Sequence, residues 1–178
     1  MQSDGTYTIK AYNGKARNVE VPAEYNKCQV TAIDDFVFYE NKFVTSIKLP
    51  DTISTIGSYA FANCLNLSSI ELPDSILSLG ERAFANCPKL SKIQLPSSIE
   101  KLSSETFSEC TSLQEIILPT KLQIIEQRVF YNCSALNKIA LPDTVTSLGQ
   151  LAFYGCSSLT EIVLSNSIQK LEDALWYG

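Results

Sequence analysis

The apolar residues of this chain recur in one arrangement every 23 positions. In Leu72–Gln94 they include Leu72, Ile76, Leu79, Ala83, Phe84, Cys87, Leu90 and Ile93, set among serines and charged residues. The same arrangement starts at Leu49, Leu95, Leu118 and Leu141, begins again at Leu164 and stops early at Gly178. A period of this length marks a solenoid, in which each unit is one coil that buries its apolar face only by stacking on its neighbours.

The pattern within a unit predicts its elements. Ser69-Ile70-Glu71-Leu72-Pro73 alternates, with Ile70 and Leu72 inward and Ser69 and Glu71 outward, as a short strand does. The proline ends it, having no N–H for the ladder. One such strand per coil, ~4.8 Å apart, builds a parallel sheet. Ile53–Ile56 predicts a second short strand, and Ser58–Asn63 a single helical or 3₁₀ turn. The position before the cysteine holds Asn63, Asn86, Glu109, Asn132 and Gly155. Asn and Gly accept the positive φ that closes such a turn, and Glu109 is the misfit.

Residues 1–22 differ from the repeats. Tyr7–Tyr12 alternates, Asn13-Gly14 is a type I′ turn signal, and Arg17–Pro22 returns, so a β-hairpin is expected there as an N-terminal cap over the open core. The array then runs over 21–178 as one structural domain, with repeats starting near 21, 49, 72, 95, 118, 141 and 164. Ile33, Phe38, Val44 and Ile47 lie one period before Ile56, Phe61, Leu67 and Ile70. The excess length of that first repeat falls at Glu24–Cys28, as an inserted loop. The last repeat is incomplete, with Trp176 over part of the core and an end open to weak self-association.

Read down the columns, Phe38, Phe61, Phe84, Phe107, Phe130, Phe153 and Trp176 predict an aromatic spine. Cys64, Cys87, Cys110, Cys133 and Cys156 form a second column. Cysteine as a small buried apolar residue is the expectation there. Disulfides and metal are the alternatives, disfavoured because side chains in one column point the same way and zinc wants ligands two to four residues apart. Asp51, Asp74 and Asp143 follow prolines, where turn chemistry explains them.

Two outward columns change along the chain. On the strand, Glu20, Lys48, Glu71 and Gln94 give way to Ile117, Ala140 and Val163, with Glu115, Lys138 and Glu161 two residues earlier. After the core Phe, the later coils carry Tyr131, Tyr154 and Tyr177. An exposed apolar strip with a polar rim is the anatomy of a protein-binding patch. These nine residues are the candidate partner contacts.

Composition narrows the chemistry. The chain has no histidine, which excludes Ser-His and Cys-His catalysis and histidine metal ligation. It also has no Gly-rich phosphate loop and no Cys-x-x-Cys. No catalytic, cofactor-binding or metal-ligating residue is expected. A net charge of -5 without a basic run argues against nucleic acid, whose phosphates need Lys and Arg. No apolar run approaches the ~20 residues of a membrane span, and Met1–Gly5 shows no signal-peptide pattern.

The repeat Leu-Pro-x-x-Ile-x-x-Ile-Gly-x-x-Ala-Phe-x-x-Cys-x-x-Leu-x-x-Ile, as in Leu49–Ile70, resembles the BspA-like, treponemal-type leucine-rich repeat. The resemblance covers Val21–Gly178, with Val129 in place of the alanine and Trp176 in place of the last phenylalanine. It implies an α/β repeat solenoid: a right-handed coil, a parallel β-sheet on the concave face, and short second strands and 3₁₀ or helical turns on the other side. It also implies a non-enzymatic adhesion module of a secreted or surface-attached protein, recognising matrix, host-cell or microbial surface proteins, or glycans. The competing reading is a spacer segment of a larger repeat protein with no ligand of its own.

Overall fold

The structure is a computed structural model that describes residues 5–164 and 166–171. The expectations for Trp176, Tyr177 and the incomplete last coil lie outside the described residues. In chain order the strands are β1 (Tyr7–Ile9), β2 (Asn18–Glu20), β3 (Glu24–Tyr25), β4 (Cys28–Ile33), β5 (Ser46–Lys48), β6 (Thr55–Ile56), β7 (Ser69–Glu71) and β8 (Ser78–Leu79). The later coils hold β9 (Lys92–Gln94), β10 (Lys101–Leu102), β11 (Glu115–Ile117), β12 (Ile124–Ile125), β13 (Lys138–Ala140), β14 (Ser147–Leu148), β15 (Glu161–Val163) and β16 (Lys170–Leu171).

Parallel pairing joins most strands to their counterparts one repeat on, with breaks between β7 and β9, β11 and β13, and β8 and β10. The first ladder runs β2-β5-β7, then β9-β11, then β13-β15; the second runs β1-β4-β6-β8, then β10-β12-β14-β16. Ile33 pairs with Ile56 and Ile47 with Ile70, so the long first repeat is in register, as its apolar spacing predicts. Inward residues set that register, because a slip by one would turn every buried side chain to solvent. The prolines after the first strand start tight turns: Ile53, Ile76, Ile99, Leu122 and Val145 donate to the carbonyls of Pro50, Pro73, Pro96, Pro119 and Pro142 at 3.0–3.2 Å.

The expected N-terminal hairpin does not form. β1 pairs in parallel with β4 and β2 in parallel with β5, so residues 7–20 make a coil of their own. A type I′ turn needs positive φ at both central residues, and neither Asn13 nor Gly14 has it. Gly14 instead leaves room for Tyr12, whose ring would lie 2.5 Å from an added Cβ. A hairpin exists in the insertion: β3 pairs antiparallel with β4, and Asn26 and Lys27 take φ of 50° and 64° between them.

The helical or 3₁₀ turns are also corrected, since no helix is found among the described residues. In the third coil the amides of Tyr59, Phe61 and Asn63 donate to Glu81, Ala83 and Ala85 of the next coil at 2.8–2.9 Å. The intervening amides of Ala60, Ala62 and Cys64 turn back onto Gly57, Tyr59 and Phe61. A helix would keep every amide to itself. Sending alternate amides forward requires two left-handed residues per coil, here Tyr59 (φ 56°) and Asn63 (φ 59°). Glu109 fits after all, with φ 63° and its Oε1 accepting from Asn132 at 2.9 Å.

The spine forms as expected from Phe38 to Phe153. Successive rings stack 5.1, 5.2, 5.6, 5.9 and 5.5 Å apart, within 20° of parallel. Tyr12 adds a ring at the N-terminal end, 4.7 Å from Phe38. The first coil thus covers the core with its own aromatic residue.

The five column cysteines are buried free thiols. Each Sγ donates to the phenylalanine carbonyl of the preceding coil, from Cys64 to Phe38 through Cys156 to Phe130, at 3.1–3.2 Å. Burial pushes the Cys64, Cys110 and Cys156 thiols up to about 12, and those of Cys87 and Cys133 well above their ordinary value. A thiol kept protonated is a poor nucleophile. In native protein, a water-soluble alkylating reagent should therefore label half-buried Cys28 first and leave the column unlabelled until denaturant is added. Mass spectrometry reads this directly, and column labelling without unfolding would contradict the burial.

Candidate functional site

The outer face of the first ladder carries the strip anticipated from the sequence. In β11, β13 and β15 the middle residues point inward: Ile116 and Ile139 are buried and Ile162 is half-buried. The flanking residues must then face solvent, and Ile117 and Val163 are 45% and 53% exposed. Ala140 lies directly opposite Val163, and Lys138 directly opposite Glu161. Glu115, Ile117, Lys138, Ala140, Glu161 and Val163 line one open depression of about 410 Å³. The structure thus brings six of the nine sequence-derived candidates together.

Electrostatics distinguish the two ends of this face. At the N-terminal end a depression of about 390 Å³ is lined by Asn18, Glu20, Ser46, Lys48, Ser69 and Glu71. Its charges are partly closed, with Lys48 on Glu20 at 3.1 Å. Further on, Lys92 closes on Glu115 at 3.3 Å. Such exposed pairs contribute about 0–1 kcal/mol each. Lys138 and Glu161 stand in the same relation as Lys92 and Glu115, opposite one another on paired strands. Yet Lys138 and Glu161 form no ion pair among the described residues.

The tyrosines lie elsewhere, on the turns. Tyr131 and Tyr154 are half-buried and stack on one another at 5.2 Å, with the Arg128 guanidinium 5.9 Å from the Tyr131 ring. Tyr131 thus has a ring partner and a cation partner of its own. Tyr177 lies outside the described residues.

One exposed cluster was not anticipated as a unit. Phe36, Tyr39 and Phe43 are 54%, 41% and 45% exposed on the turn of the second coil. Phe36 stacks on Tyr59 at 4.9 Å, and Arg82 reaches the Tyr59 hydroxyl at 2.9 Å while its guanidinium forks onto Glu105. Phe36, Tyr59, Arg82 and Glu105 occupy the same left-handed position, four residues before the second one, in the turns of successive coils. The available signal was that column, in which the alternating charges of Arg82, Glu105 and Arg128 are legible and Arg82 and Glu105 do pair, while the aromatic Phe36 and Tyr59 do not continue the alternation. Among the described residues no group of His, Cys, Asp and Glu could hold a metal ion, and no helix is long and apolar enough to cross a membrane.

The sequence model of the BspA type leucine-rich repeat region, in six copies, matches residues 31–159 and 123–178. The chain belongs to the BspA-type leucine-rich-repeat family. Among solved structures, this BspA-type chain is similar to the leucine-rich repeat protein of T. pallidum. The TM-score is 0.92 at 30% identity, over 96% of this chain and 80% of that one. It is also similar to a leucine-rich cell surface protein of Faecalibacterium prausnitzii, with a TM-score of 0.71 at 30% identity. That match covers 94% of this chain and about half (52%) of the other. A leucine-rich repeat protein of Bacteroides capillosus matches at 29% identity and a TM-score of 0.60, over 65% of this chain and 88% of that one. No curated protein matches the chain. BspA-type membership accounts for the solenoid and its columns, and the residues that vary on its surface remain the place to look for function.

Proposed function

We propose that this chain is a non-enzymatic protein-binding module of a surface or secreted protein. In this reading its contact is the strip Ile117–Ala140–Val163 with the rim Glu115, Lys138 and Glu161. The observation that carries it is the change of character along one face: the strip is apolar, exposed and set in a depression, while the same column is polar in earlier coils. Apolar side chains left in water at the centre of a polar rim give a partner something to desolvate. Repeat solenoids use their extended concave surface in this way. An adhesive role toward matrix, host-cell or microbial surfaces agrees with the family and with the F. prausnitzii relative, which is described as a cell surface protein.

The test is retention of matrix proteins and host-cell surface extracts on the immobilised chain, compared with Ile117→Ser/Val163→Ser. Both side chains face solvent, so the double variant should fold with an unchanged circular dichroism spectrum and melt. It should bind any partner of this face about 1–3 kcal/mol more weakly. Normal binding by the double variant, with loss on changing Lys48 and Glu71, would place the contact at the other end. Retention of nothing by either protein would favour the spacer.

A further inference from the structure

The preceding reading says where a partner sits, and the charges around the strip say what it presents. We infer that the occupant is a short extended protein segment whose apolar anchor lies on Ile117 and Val163 and is flanked by one acidic and one basic side chain, the acid meeting Lys138 and the base meeting Glu161. This inference rests on the strip being a protein contact.

The argument begins with two equivalent positions. Lys92↔Glu115 and Lys138↔Glu161 are opposite pairs on adjacent parallel strands, each with the lysine on the earlier coil. The first pair is closed at 3.3 Å, so Glu115 is already neutralised. The second is open, and both its members line the depression with the apolar strip between the coils. Its charges are therefore the ones free to be satisfied by a partner. Desolvating an uncompensated charge is costly, so an occupant that covers the strip without matching both charges is disfavoured, and one that places like charges opposite them is disfavoured further.

Shape points to an extended segment. The strip spans two strand spacings, ~10 Å, while an extended chain repeats its same-side residues every ~6.6 Å. Two same-side positions thus cover the strip. The depression is open and spans β11, β13 and β15, which suits a segment laid across the strands rather than a bulky group inserted between them. Phosphate or nucleic acid would meet the carboxylate of Glu161 beside the cation of Lys138, and is disfavoured by that balance of sign.

The test uses a defined probe: a displayed library of random 12-residue peptides, selected on the wild-type chain and counter-selected on Ile117→Ser/Val163→Ser. The enriched peptides should combine an apolar residue with one acidic and one basic residue. A chain carrying Lys138→Glu and Glu161→Lys should bind these peptides at least about tenfold more weakly, and a library selected on it should carry the two charges in the opposite order. Strip-dependent peptides with no such pair, or with an order that does not reverse, would overturn this inference while leaving the strip a protein contact. Failure to enrich any strip-dependent peptide would overturn both.

Discussion

Phe84→Ala should destabilise the chain by about 3–5 kcal/mol, the range for deleting a buried aromatic ring. Phe84 is fully buried and stacks on both neighbours, 5.2 Å from Phe61 and 5.6 Å from Phe107. The substitution therefore leaves a void that opens on two coil interfaces at once. In a solenoid, stability is approximately a sum of coil terms and nearest-neighbour terms. A weakened interface in the middle of the array can then separate the two halves. Urea denaturation should show a lower midpoint together with a reduced slope, since each half exposes less surface as it melts. Phe84→Leu, which keeps most of the volume, should cost less and retain a single transition. A loss below about 1 kcal/mol for the alanine variant would mean that neighbouring coils collapse into the space.

Raising the pH from 8 toward 11 should unfold the chain, and the column cysteines are the reason. A thiol ordinarily ionises near 9.0, and the unfolded chain does so; in the fold, burial holds Cys64, Cys110 and Cys156 to about 12 and moves Cys87 and Cys133 the same way. The unfolded state therefore releases protons that the folded state retains. The stability is fully present below pH 9 and is lost from there toward pH 12, at about 1.4 kcal/mol per pH unit for each thiol. The three thiols held to about 12 together lose about 4 kcal/mol by pH 10, a large part of the 5–15 kcal/mol of a whole domain, and Cys87 and Cys133 act in the same direction. Denaturation at a series of pH values measures the slope. The informative quantity is a difference: Cys110→Ala should flatten the slope by about 1.4 kcal/mol per pH unit. Equal slopes would show that Cys110 ionises within the fold.

The cysteine column also shows how much of this architecture was legible in the sequence. A fixed repeat displays whatever lies at the same offset in every coil, so the spine, the strand register and the outward direction of Ile117 and Val163 could be read before any coordinates. What a cysteine bonds to is 26 residues back, one repeat and three positions further, the backbone carbonyl of a different column, which side-chain identity does not display. It read as a small apolar residue, whereas it is also a donor that closes a backbone carbonyl. The first left-handed position was hidden for another reason. Tyr59, Arg82, Glu105, Arg128 and Leu151 share a backbone conformation and no side-chain chemistry, and the inter-coil bonds that hold them there outweigh local preference. At the N-terminus, Asn13-Gly14 is a strong local turn signal, but β4 and β5 offered each N-terminal strand a ladder partner and the local signal lost. At the candidate face, alternation revealed which residues point outward. Whether Lys138 and Glu161 would close on one another depends on side-chain placement, which no column displays.

The alternate amides of each turn reach forward to the next coil, while the second-strand amides, such as Gly57 to Ile33 and Gly80 to Ile56, reach back. Every bond that joins two coils therefore lies roughly along the long axis, and consecutive interfaces are arranged in series. A load applied between the two ends falls on one interface at a time, and the weakest yields first without disturbing those beyond it. Each detached coil releases about 23 residues, roughly 80 Å of slack, and restacking draws it back. A protein holding two surfaces together in flow would on this plan extend coil by coil under tension and shorten again when the pull is relaxed.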